Sequence, residues 1–166
     1  TGSEAQPALT RDGTRLAYVS SSEGGRTQLF VRWMATGSAA RITDLVSTPD
    51  EIAWSPDGKF IAFTMFIPDE ESSLGEAPAK PEGATWAPPL VVVTNVIYRA
   101  DGAGALKAGY THAFVVPSEG GAPRQLTFGA FNEAGPLSWS PDGRSLILTG
   151  NRLPNWQREP VNTEIY

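Results

Sequence analysis

Apolar residues recur along this chain in short alternating runs, each closed by a cluster of Gly, Pro, Asp or Ser. The clearest case is residues 52–64, Ile-Ala-Trp-Ser-Pro-Asp-Gly-Lys-Phe-Ile-Ala-Phe-Thr. Pro56 presets φ for a turn, Asp57 can bond its own backbone, and Gly58 accepts positive φ without steric cost. Flanking apolar and β-branched runs make the stretch a β-hairpin. Residues 137–149 repeat it almost position for position. A weaker copy occupies residues 9–19, with Arg11 where the others carry Pro.

After the first hairpin a loop at residues 20–25 leads to an expected third strand over 27–33, a Gly37-Ser38 turn and a short fourth strand over 40–43. Four antiparallel strands in succession are one blade of a β-propeller. The second copy keeps the same intervals: Phe30 to Thr43 and Phe114 to Thr127 are both 13 residues. The reading is therefore all-β, with four-stranded antiparallel blades and about two and a half blades in all. Blade 1 is placed at about 7–44, blade 2 at about 50–128, and an incomplete blade 3 at about 135–166. A closed propeller needs roughly 4–8 blades of about 40–45 residues each. The chain is therefore expected to be a piece of a longer propeller, or to close by self-association through open sheet edges.

One interval breaks the period. Blade 2 carries about 39 extra residues between its second and third strands, an insertion at about 69–108. Residues 68–83 are acidic and rich in Pro and Ala, and are expected to form an exposed loop. Residues 90–98 read as an added, aggregation-prone strand, and 99–109 as a Gly-rich return. Insertions in repeat proteins gather on one face, often the one that meets a partner.

Composition changes this picture little. The formal charge of −5 disfavours nucleic acid and anionic membrane surfaces as partners. Cysteine is absent, so no disulfide or thiolate metal site can form. No Gly-x-Ser-x-Gly elbow occurs, and the sole histidine, His112, aligns with Gln28 and Thr163 of the other repeats. That alignment reads it as a strand surface position, not a catalytic base. Asp69, Glu70, Glu71, Glu76 and Glu82 read as solvated loop carboxylates. Residues 102–107 read as a turn, because they lack a phosphate-loop pattern. Trp54 and Trp139 share one register and are expected to pack between blades, while Asp12, Asp57 and Asp142 are turn residues. Trp33, Trp86 and Trp156 lie outside that register. No catalytic, cofactor-binding or metal-ligating residue is assigned, and no cofactor is expected.

The repeat Trp-Ser-Pro-Asp-Gly followed by Ile-Ala-Phe resembles that of TolB-type propellers and of prolyl-oligopeptidase-family (S9) serine peptidases. Residues 98–104 and 106–117, with 120–127, 64–68 and 162–166, resemble the acylaminoacyl-peptidase-like branch. Ala105 departs from the aromatic usual in similar sequences, which bears on one packing contact of the insertion. The resemblance implies an N-terminal propeller segment of a serine exopeptidase or oligopeptidase, capping a downstream α/β-hydrolase domain and limiting access to short peptides. The catalytic residues would then lie outside this chain, which alone hydrolyses nothing. The competing reading is a TolB-like protein-binding module, and a third is a self-assembling fragment. Similar proteins are often exported, so the resemblance leans towards a periplasmic or secreted location.

Overall fold

The computed structural model describes residues 3–21, 25–69, 79–85, 95–102 and 104–166. Three successive antiparallel sheets account for nearly all regular structure. The first is β1 (Glu4–Leu9), β2 (Arg15–Ser20), β3 (Gln28–Trp33) and β4 (Ala39–Arg41), paired in chain order. The second joins β5 (Pro49–Trp54), β6 (Phe60–Pro68), β9 (Gly109–Pro117) and β10 (Arg124–Gln125), again as a simple meander. Between β6 and β9 the insertion contributes a small hairpin, β7 (Arg99–Ala100) with β8 (Gly104–Ala105). The third sheet is β11 (Glu133–Trp139), β12 (Leu146–Gly150) and β13 (Glu164–Ile165). Two four-stranded blades and part of a third make this a partial β-propeller.

Strand periodicity decides which blade each side chain meets. On β6, Ile61, Phe63 and Met65 point one way and join Ala17, Val19, Leu29 and Val31 of the first sheet in the larger core. Ala62 points the other way and, with Ala113, meets Leu137 and Leu148 of the third sheet. Bulky residues thus fill the space between the first two sheets, and small ones admit close approach of the third. Phe63 stacks on its cross-strand partner Phe114 with centroids 5.6 Å apart, and Tyr18 on Phe30 repeats the pair at 5.6 Å.

The hairpin turns rest on a shared hydrogen-bond box. Ser55 Oγ donates to Asp57 Oδ1 (2.7 Å) and accepts from Phe60 N (2.9 Å), while Lys59 N donates to the same carboxylate (3.1 Å). Ser140 and Asp142 reproduce it, as do Thr10 and Asp12 without the proline. Gly58 and Gly143 both sit at φ 69°, the conformation that only glycine adopts cheaply.

The first strand of each sheet carries a bulge that the sequence reading does not contain. Pairing slips between Ala5 and Ala8, between Asp50 and Ala53, and between Ala134 and Ser138. Gln6 (φ 54°), Glu51 (φ 51°) and Gly135 (φ 74°) occupy these bulges. The added strand expected over 90–98 also differs: residues 95–98 are not strand, and 90–94 lie outside the described residues. Among the described residues of the insertion, strand structure is the short hairpin of Arg99–Ala100 with Gly104–Ala105.

Candidate functional site

The antiparallel order places the Pro-Asp-Gly turns at one end of the sheets. The insertion, the β12–β13 loop (151–163) and the connectors between sheets (44–48 and 126–132) lie at the other. Contacts at both ends fasten the blades, and those of Trp54 and Trp139 use the repeat's shared register.

On the turn side, Trp54 Nε1 donates to Ala8 O (2.8 Å) and Trp139 Nε1 to Ala53 O (3.1 Å). Each half-buried tryptophan therefore reaches back to the first strand of the preceding blade, as the shared register implies. Leu9, which holds this position in the first sheet, is 57% exposed. Arg15 adds a clasp with no counterpart in the repeat pattern. Its Nη2 donates to Gly58 O (2.6 Å), its Nη1 to Ser118 Oγ (3.0 Å) and Glu119 Oε1 (3.2 Å), and its guanidinium lies 5.0 Å from the Trp54 ring centroid. A Cβ at Gly58 would come within 2.7 Å of Nη2, so a side chain there would displace the guanidinium.

At the insertion side, the contacts gather around the second connector. Glu133 opens β11 with its side chain 1% exposed, and Arg152 Nη2 donates to its Oε1 at 2.7 Å. The Arg152 guanidinium lies 3.9 Å from the Tyr166 ring centroid and 4.9 Å from that of Phe131. Burial pushes the Glu133 carboxyl up, and Arg152 opposes the shift. Glu133 Oε2 and Arg152 Nε are buried without a partner. Trp156 Nε1 donates to Ala130 O (2.8 Å), and Gln157 Oε1 accepts from Val96 N (2.7 Å). The insertion of blade 2 is thus docked on a loop of the third sheet. Two shallow hollows of about 390 and 300 Å³ flank this contact and share Val96.

His112 corrects the sequence expectation. It is 5% exposed and packed edge-on against Phe131, not a surface strand residue. In the two complete blades that position is buried, Gln28 being 1% exposed, whereas Thr163 of the incomplete third sheet is exposed. Polar residue types at the buried position reflect internal hydrogen bonding, not contact with water. The His112 Nδ1 lies 3.4 Å from Thr127 Oγ1, and Thr127 also interacts with Glu133. A hydroxyl, an imidazole and a carboxylate meet here, but the carboxylate faces the hydroxyl instead of orienting the ring. In an acyl-transfer triad the imidazole must stand between the two.

Among the carboxylates, Asp69 uses its backbone N–H to bond Ala108 O (3.0 Å) at the base of the insertion, and Glu82 is exposed. Glu70, Glu71 and Glu76 lie outside the described residues, as does Trp86. Trp33 packs on the larger core. Among the described residues no three His, Asp or Glu side chains converge as metal ligands. The seam contacts were missed in sequence because Arg15, Glu133 and Arg152 carry no motif and meet only across blades.

No family model matches the chain. Over 145 residues, 87% of the chain, it is 30% identical to the uncharacterized peptidase YuxL of Bacillus subtilis, of whose length it spans 21%. Pyrococcus horikoshii acylaminoacyl peptidase superposes with a TM-score of 0.60 at 18% identity, covering 88% of this chain and 20% of that one. TolB from Acinetobacter baumannii does so with a TM-score of 0.56 at 19% identity, covering 99% and 29%. The two solved structures establish the fold. The chain is a partial β-propeller whose fold is shared with acylaminoacyl peptidase and TolB and whose sequence is similar to that of a bacterial peptidase.

Proposed function

We propose that this chain serves as part of the non-catalytic propeller of a serine peptidase, and limits which substrates reach an α/β-hydrolase domain of the same polypeptide. The observation that carries this reading is the 30% identity to a peptidase along 87% of the chain. The mechanism is steric. Blades locked by Trp54, Trp139 and Arg15 make a rigid wall, and a rigid wall excludes folded proteins while short extended peptides pass. The propeller supplies neither nucleophile nor oxyanion hole, so the chemistry belongs to the hydrolase domain.

The test uses the full-length polypeptide. A fluorophosphonate probe should label it, and short peptides should be cleaved in preference to longer ones. Arg15→Ala together with Trp54→Ala, which loosens the first seam, should narrow that size preference. Labelling without any size preference would leave a peptidase but remove the gating role. No labelling at all would favour the protein-binding reading.

A further inference from the structure

The two complete blades solve one structural problem with different residues. Where the chain leaves the first sheet, Gln28 binds the outgoing connector: its Oε1 accepts from Leu45 N (2.7 Å) and Thr43 Oγ1 (3.1 Å), and its Nε2 donates to Leu45 O (3.1 Å). Thr43 Oγ1 in turn accepts from Leu29 N (3.0 Å). In the second sheet Thr127 stands for Thr43 and accepts from Ala113 N (2.9 Å), but His112 stands for Gln28. Three firm hydrogen bonds are replaced by one long contact and an edge-on ring packing against Phe131, centroids 6.0 Å apart. A group that cannot titrate is replaced by one that can.

That substitution sits where several elements converge. On its own strand His112 neighbours Tyr110, at 6.5 Å between centroids, and Met65 opposes it from β6. Thr127 faces it from the segment after β10, and Phe131 from the connector. Beyond these stand the charged pair Glu133 of β11 and Arg152, the latter with its guanidinium 4.9 Å from the Phe131 ring centroid. The connector also holds Trp156 through Ala130 O, receives Thr111 N at Asn132 Oδ1 (2.8 Å), and so anchors the loop on which the insertion docks.

We propose that His112 makes the second connector a proton-sensitive clasp: a proton on its ring frees residues 128–132 and the loop 151–158, while the first connector, held by Gln28, stays closed. A charged imidazole is poorly accommodated against Phe131, Met65 and Tyr110. Opening gives it water. Burial already holds the ring's proton affinity below the ordinary imidazole range, in the direction that such coupling requires. The docked insertion is released with the loop, so acid alters the insertion face of the propeller and leaves the turn face intact.

Hydrogen exchange of the full-length polypeptide, followed by mass spectrometry and corrected for intrinsic rates, tests this at about pH 7.5 and about pH 5.5, on either side of the ordinary imidazole value of ~6.5. Peptides covering 110–133 and 151–158 should lose protection relative to peptides covering 27–46, by at most about tenfold, the ceiling set one pH unit below the ordinary imidazole value. His112→Gln should abolish the loss, because glutamine can bond Thr127 and Gly129 as Gln28 bonds Thr43 and Leu45. Gln28→His should transfer it to 27–46, which decides the matter even if the first variant fails to fold. Glu133→Gln should leave the response in place. Equal loss in wild type and His112→Gln, no loss in wild type, or abolition by Glu133→Gln would each overturn the proposal.

Discussion

Asp57 and its repeats show how much one exposed carboxylate can organise. The Ser55 hydroxyl beside Asp57 and the Ser140 hydroxyl beside Asp142 favour the charged form, and each carboxyl is held below the usual range. At Asp12 the Thr10 hydroxyl leads and Thr14 adds to it, lowering the pKa from 3.8 to about 2. A carboxyl whose folded value is depressed lends stability above its unfolded value and loses it as pH falls through the folded one. These turns should therefore weaken from about pH 4 downward, and Asp12→Asn should flatten that limb of a stability-against-pH curve. Carboxyl chemical shifts of Asp12 followed by acid titration give the direct check, with a midpoint near 2 expected. At the same scale, Trp139→Phe keeps the ring and removes the bond to Ala53 O. A loss of about 1 kcal/mol in a urea titration is expected, the net contribution of one such hydrogen bond.

At the scale of elements, the long ribbon of β6 and β9 is the frame on which the insertion stands. The two strands pair from Phe60↔Pro117 to Pro68↔Gly109, well past the point where the first sheet's hairpin ends. Gly109 closes this ribbon at φ 141°, and a Cβ there would meet Ile67 O at 2.3 Å, the Phe66 ring at 2.6 Å and Pro68 Cα at 2.7 Å. Gly109→Ala should cost about 2–3 kcal/mol through clash and backbone strain, and should raise proteolytic nicking within the insertion. The inner-strand bulges belong to this scale too. Only Gly135 announces one in the sequence, because Gln6 and Glu51 adopt positive φ against their own preference. Asp50 Oδ1 accepts from both Glu51 N and Gln6 Nε2, which supplies local compensation at two adjoining blades.

At the scale of the molecule, a few side chains fasten each blade to the next. Arg15 is the sharpest example. Arg15→Ala removes the bond to Gly58 O and the stacking on Trp54, and should cost about 2 kcal/mol. Glu119→Ala removes only a partner that is 73% exposed, and should cost under about 0.5 kcal/mol. Comparing the two variants by thermal or urea unfolding separates a clasp from a surface ion pair. Across the other seam, Arg152→Ala would strand the buried Glu133 carboxylate. About 3 kcal/mol is expected at neutral pH, shrinking as acid neutralises Glu133, whose carboxyl is already pushed up by burial. A loss independent of pH would mean that packing on Phe131 and Tyr166 is the larger part.

The sequence by itself determined the hairpins, the sheet succession, the register of Trp54 and Trp139, and the place of the insertion. Each of these depends on local chemistry, namely turn residues and period-2 alternation, and it is repeated within one chain. It left open which face of a strand position is wet. His112 and Gln28 look like surface residues in one dimension, and are buried because a connector folds back over them. It was equally silent on Arg15 with Gly58 and on Glu133 with Arg152, since residues far apart in the chain carry no local signal of meeting. The tertiary structure decided those pairings, because only the packing of one blade on the next brings a guanidinium to a distant carbonyl or takes a carboxylate out of water.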